Sequence, residues 1–238
     1  MAQQDGTRPT VVVHMATSLD GRIQTRRWGA ASVGDLYEQV HGDLDGDAWM
    51  CGRITMQGYT RGTPEDDRDP TPVPRTSHIA KRDASRYAIA LDARGVLHWG
   101  ARNAIDDDHV VVVLTESVSD HHLNALRTSG VSYVFGGRDR IDFAQVLRSL
   151  KQDFGIARLL VEGGGGINGS LLAAGLVDEI SLLLVPAVDG GRGVPSLFDH
   201  GEPGDPPPAP EAKVALKSCE ARPDGIVRLL YTVSYIDG

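Results

Sequence analysis

The chain has 238 residues, a formal net charge of −8, 41% hydrophobic and 24% charged residues. This is ordinary globular usage, which excludes a disordered chain or a coiled coil. The acidic balance argues against a nucleic-acid partner, and two cysteines far apart, Cys51 and Cys219, exclude a disulfide scaffold and point to a reducing cytoplasm.

The first segment, 1–9, has no apolar core of the kind a signal peptide needs, and is expected to be flexible. Nine strands are predicted: Thr10–Met15, Asp47–Cys51, Tyr87–Leu91, His109–Thr115, Val131–Phe135, Arg158–Glu162, Glu179–Ala187, Lys213–Glu220 and Ile226–Tyr235. Several are continuous Val and Leu runs without alternation, the pattern of strands buried on both faces. Helices are predicted between them. Asp35–Asp43 follows Ser32, Asp120–Thr128 follows Ser119 and stops at Gly130, Phe143–Asp153 is capped by Asp142 and ended by Gly155, and Asn168–Ala174 ends at Gly175. Strands alternating with helices imply a mainly parallel α/β sheet between helical layers. The turn Arg222-Pro223-Asp224-Gly225 joins the last two strands as an antiparallel hairpin. The Pro-rich stretches 61–76 and 201–210 read as loops. Neither divides two kinds of composition, so 1–238 reads as a single domain.

Four strand ends carry candidate chemistry. Arg158–Glu162 runs into Gly163-Gly164-Gly165-Gly166-Ile167-Asn168, glycines that open a helix. Such a turn lets the backbone approach an anion, and the helix start offers unpaired N–H groups. A phosphate or pyrophosphate site is expected there. Gly164, Gly166 and Gly169 also satisfy a dinucleotide fingerprint. Too few βα units follow for a Rossmann domain. Ser18-Leu19-Asp20-Gly21 follows the first strand, placing a hydroxyl and a carboxylate at its carboxyl end. Gly52-Arg53-Ile54-Thr55 follows the second, where Arg53 suits a 2′-phosphate. Phe135-Gly136-Gly137-Arg138 repeats the pattern. His14 is expected as a satisfied core group, Cys51 as a small buried hydrophobe, and Asp106-Asp107-Asp108 as a turn. No metal site is expected.

Together these stretches resemble the reductase domain of bacterial riboflavin biosynthesis, the C-terminal part of the bifunctional deaminase–reductase, of the dihydrofolate-reductase-like superfamily. The resembling segments are MATSLDGRI (15–23), DAWMCGRITM (47–56), LDARGVL (91–97), VVVVLT (110–115) and EGGGGINGSLLAAGLVDEISLLLVPAVDGG (162–191). The resemblance implies a mixed sheet flanked by helices, NADPH as cofactor and a homodimer. It implies an NADPH-dependent reductase of a small heterocycle, similar to 5-amino-6-(5-phosphoribosylamino)uracil reductase. The cofactor residues would be Gly52, Arg53, Thr55, Thr115, Glu162, Gly164, Gly165, Gly166, Ile167 and Asn168. Ser18 and Asp20 would face the substrate and nicotinamide, with Asp20 orienting the substrate or relaying a proton. A pterin or dihydrofolate reductase and a non-catalytic nucleotide binder are the alternatives. The chain departs from the family in two places. Segment 41–46 has no Arg and carries Asp43 and Asp45, and no Asp-Asn-Pro segment follows Met56. Weak or no turnover of the riboflavin-pathway phosphoribosylamino-pyrimidine is expected from these departures.

Overall fold

Unbroken apolar runs become strands with almost no exposed surface. Val11, Val12 and Val13 are fully buried, as are Val110–Val113. A computed structural model describes residues 6–28, 32–63, 71–201 and 211–236. The expected loop residues 64–70 and 202–210, and the first five residues, lie outside the described residues.

Two units are distinguished by their internal contacts. One draws on Thr10–Gly46 and Arg158–Gly238, the other chiefly on Asp47–Ala157. The first contains strands β1 (Thr10–Thr17), β7 (Arg158–Val161), β8 (Glu179–Leu184), β9 (Ala212–Ala221) and β10 (Val227–Tyr235), in the order β7-β1-β8-β10-β9. β1 is parallel to β7 and β8, whereas β10 is antiparallel to β8 and β9. Its helices are a single 3₁₀ turn at Thr25–Arg27, α1 (Ser32–Asp43) and α5 (Gly165–Ala173). The hairpin turn forms as expected: the Gly225 amide donates to Arg222 O, and Gly225 has φ +83°. A register shift at Leu230/Tyr231 interrupts the β9–β10 ladder.

The second unit contains β2 (Ala48–Gly52), β3 (Tyr87–Leu91), β4 (Ala104–Ile105), β5 (Asp108–Leu114) and β6 (Ser132–Phe135). β2, β3, β5 and β6 pair in parallel, and β4 adds an antiparallel stub to β5. That stub is absent from the sequence reading. Asp106 and Asp107 adopt φ +45° and +75°, so the expected acidic turn closes a two-residue hairpin. α2 (Arg53–Met56) is a single turn, followed by α3 (Asp120–Thr128) and α4 (Phe143–Phe154). The caps read from sequence are in place. Ser119 accepts from the His122 amide, Asp142 accepts from the Gln145 amide, and Gly155 ends α4 with φ +72°. The α/β class, mainly parallel pairing and C-terminal antiparallel hairpin match expectation. Among the described residues no helix is long and apolar enough to cross a membrane.

Candidate active site

In the first unit Val13 of β1 pairs with Val161 of β7. Glu162–Gly163 therefore leave the carboxyl end of β7 beside His14–Met15 within β1, near the sheet edge where such folds place ligands. Gly163 is needed there. It adopts φ +83°, and a Cβ would meet Met15 Sδ at 2.9 Å. A cavity of about 600 Å³ opens beside this point. Met15, Ala16, Ile23 and Val33 supply its apolar lining, while Arg26, Glu38 and Glu162 supply charge. Its size suits a small-molecule ligand.

Glu162, expected at the cofactor, lines this cavity. Oε1 of Glu162 is 2.6 Å from His41 Nδ1, and both side chains are only 12% exposed. An ionised carboxylate can only accept, so Nδ1 of His41 is the donor. Tyr37, one helical turn earlier on α1, lines the same cavity and stacks on His14 with ring centroids 4.2 Å apart. His14 itself is fully buried, with Nδ1 beside Ser181 Oγ and Nε2 donating to Tyr37 O. Burial pushes its pKa down to about 4, so it is the neutral core histidine expected.

Ser18 and Asp20 take a different part. Neither lines the cavity. Asp20 Oδ1 accepts from Ser18 Oγ at 2.7 Å and from the Asp189 amide at 2.9 Å, while Oδ2 accepts from the Gly190 amide at 2.9 Å. The Asp189 and Gly190 amides and the Ser18 hydroxyl hold its carboxyl well below the usual carboxylate range. Asp20, expected to orient the substrate or relay a proton, here ties the loop after β1 to the segment after β8.

The glycine run divides. The helix α5 begins at Gly165, three residues earlier than expected, so Gly165 and Gly166 form its first turn rather than a loop. A Cβ on Gly165 would meet Ser196 O at 2.2 Å, and one on Gly169 would meet Asp199 O at 2.0 Å. The Asp199 amide donates to Gly165 O. These two glycines admit the protein's own 196–199 segment, not a ligand. Gly166 has nothing within 4 Å of its Cβ position, and Gly164 only Ile23 Cδ1 at 3.9 Å. Asn168 is fully buried; Nδ2 donates to Leu197 O, while Oδ1 has no partner among the described residues. Open space at Gly166 at the start of a nine-residue helix fits a phosphate group near Gly164, Gly166 and Ile167, while the Cβ side of Gly165 faces Ser196 and Asp199.

In the second unit Gly52 is the N-cap of the one-turn α2. Arg53 and Thr55 are exposed, and Arg53 makes no ion pair among the described residues. Thr115 is buried and donates to Ala93 O at 2.7 Å, organising the turn after β3. Gly136 is explained locally, since a Cβ would meet Val146 Cγ2 at 2.7 Å. The acidic 41–46 stretch is partly neutralised: Arg228 of β10 donates to Asp43 at 3.1 Å. Of the three arginines after β1, Arg22 donates to Val194 O and Arg27 pairs with Asp189 at 2.7 Å. Only Arg26 of these lines the cavity. The His41–Glu162 pair was missed in the sequence because its members lie 121 residues apart. The one local signal was a carboxylate directly after a buried strand.

Residues 9–228 match the family model of the RibD C-terminal domain. The chain is 31% identical over 194 residues to the 2,5-diamino-6-ribosylamino-4(3H)-pyrimidinone 5′-phosphate reductase of Methanothermobacter thermautotrophicus, covering 81% of this chain and 84% of that protein. It is 33% identical over 193 residues to the reductase of the same name from Aquifex aeolicus, covering 80% and 82%. Its fold matches that of a pyrimidine reductase-like protein from Corynebacterium diphtheriae with a TM-score of 0.70 at 16% identity, over 96% of this chain and 93% of that one. The chain belongs to the RibD C-terminal domain family.

Proposed function

We propose that the protein is an NADPH-dependent reductase of a small heterocycle, with the 600 Å³ cavity of the first unit as its substrate site. The observation that carries this reading is the cavity itself. It lies at the carboxyl end of β7 beside the parallel strand β1, and the nearly buried carboxylate of Glu162 is built into its wall beside apolar Met15 and Ile23. A carboxylate in that position accepts from ring and amino N–H donors, which pyrimidines of the kind named for the relatives carry. Arg26 supplies the positive charge that a substrate phosphate requires, in place of the arginine missing from 41–46. With Asp43 paired to Arg228, the repulsion expected from that stretch is reduced. A phosphoribosylamino-pyrimidine therefore fits better than the sequence departures alone suggest.

A reduced nicotinamide supplies the hydride when bound. Gly164, Gly166 and Ile167 are assigned to its phosphate groups, and Arg53 and Thr55 to a 2′-phosphate. Ser18 and Asp20 shape the loop after β1. We assign 1–238 to a single reductase domain, as the extent of the family match supports. Exposed Val214 and Leu216 on β9 support the expected homodimer.

The test is consumption of reduced nicotinamide with aminopyrimidine phosphates, pterins and dihydrofolate supplied separately. Turnover confined to the aminopyrimidine supports the reading. Turnover of dihydrofolate alone, or none with any of them, overturns it.

A further inference from the structure

Burying a carboxylate costs free energy unless it is paired and hydrogen-bonded. Glu162 is hydrogen-bonded to an imidazole brought from α1 across 121 residues, and it lies at a cavity wall rather than in the closed core. His41 is absent from the cavity lining. It touches the lining at Glu162. On α1, His41 lies one turn beyond Tyr37, which is fixed by donating to His14 O at 2.9 Å and by stacking on the His14 ring. The helix face that aims His41 is thus anchored to β1 independently of the pair. A short N–H···O⁻ bond of this kind is charge-assisted and directional. It fixes the rotation of the carboxylate and leaves His41 protonated on Nδ1.

We propose that His41 is a positioning residue that holds Glu162 as the N–H-accepting wall of the cavity, so that the site selects heterocycles presenting adjacent amino and ring N–H donors. This rests on the assignment of the cavity as the substrate site. The chemistry discriminates between close analogues. Isocytosine offers an amino group beside a ring N–H. Uracil replaces that amino group with a carbonyl oxygen, which an ionised Glu162 repels.

Two measurements test the pair. The first is binding of isocytosine and uracil by calorimetry to the wild type, H41L, H41N and E162Q. Asparagine keeps a donor near the position of Nδ1, and leucine does not. The expected result is isocytosine bound at least about 10-fold more tightly than uracil by the wild type. That preference is lost in H41L and E162Q, restored to within about 3-fold in H41N, and no lower in the H41L/E162Q double variant than in E162Q alone. The second is the two-bond ¹H–¹⁵N spectrum of the histidines, in which His41 carries its proton on Nδ1 in the wild type and shifts to Nε2 in Glu162→Leu. A wild type that does not prefer isocytosine overturns the proposal, as does an H41N variant as impaired as H41L or a His41 tautomer indifferent to Glu162. Preference for isocytosine without any nicotinamide-dependent turnover leaves the pair intact and overturns the reductase reading. Turnover with a neutral H41L does the reverse.

Discussion

The loop after β1 and the turn after β7 leave neighbouring parallel strands at the same sheet edge, and each carries a carboxylate within a few residues of the strand end. Asp20 is open to solvent, yet both its oxygens are taken by two backbone amides and a hydroxyl. Glu162 is nearly buried, yet its partner is a side chain, and it lines a cavity. The first arrangement closes a loop on itself; the second presents a charge to a ligand. Exposure is thus a poor guide to which carboxylate is chemically available. The kind of partner matters: backbone amides tie Asp20 into the fold, whereas the His41 side chain bonds Glu162 at the cavity wall.

The largest effect that sharpens this comparison lies in the glycine run beyond Glu162. Gly169→Val places a side chain where Asp199 O stands 2.0 Å from the Cβ position, and is expected to cost about 3 kcal/mol or more. Gly166→Ala, with nothing within 4 Å, should stay within about 0.5 kcal/mol. Denaturant unfolding of both variants checks this. Equal stability would mean that the 196–199 segment does not pack on α5.

Next in size is a contrast between the two carboxylates. E162Q is expected to lower kcat/KM by about 100-fold, equivalent to about 2.7 kcal/mol of transition-state stabilisation, with little change in melting temperature. D20N should do the opposite, lowering the melting temperature while kcat/KM falls less than in E162Q. Steady-state kinetics and calorimetric melts on the same preparations decide it, and an inactive but fully stable D20N would break the comparison.

A smaller effect is expected at the cavity's cation. R26A should raise KM about 10-fold for a phosphorylated substrate through loss of a charge-assisted contact, and leave KM for the dephosphorylated analogue unchanged. An equal rise for both would remove Arg26 from phosphate recognition.

The smallest effect is the pH dependence of stability at Asp20. Its folded-state pKa is depressed, so its contribution is present above the unfolded value and is lost as the pH falls through the folded one. The stability gap between wild type and D20N should be constant at neutral pH and shrink below about pH 4. A gap that grows on acidification would contradict the backbone clamp.

The strands were legible because runs such as His109–Leu114 carry their burial in composition alone, and the caps Ser119, Asp142 and Gly155 act within one turn. β4 was not, since two residues leave no pattern and its hairpin depends on positive φ at Asp106 and Asp107. The start of α5 was misplaced because glycines that read as loop are required by packing against 196–199, a contact some thirty residues away. The candidate site was legible as a set of strand ends but not as chemistry. Which carboxylate is clamped and which faces a cavity depends on Asp189, Gly190 and His41, all remote in sequence.

The chain has four methionines, of which Met15 lines the cavity, whereas Met50 and Met56 are buried in the other unit. A titration of the ¹³C-methyl-methionine protein with isocytosine, followed by NMR, therefore locates the substrate site directly. The Met15 methyl resonance should move and saturate while those of Met50 and Met56 stay in place. Saturable binding that leaves Met15 unmoved would contradict the assignment of this cavity.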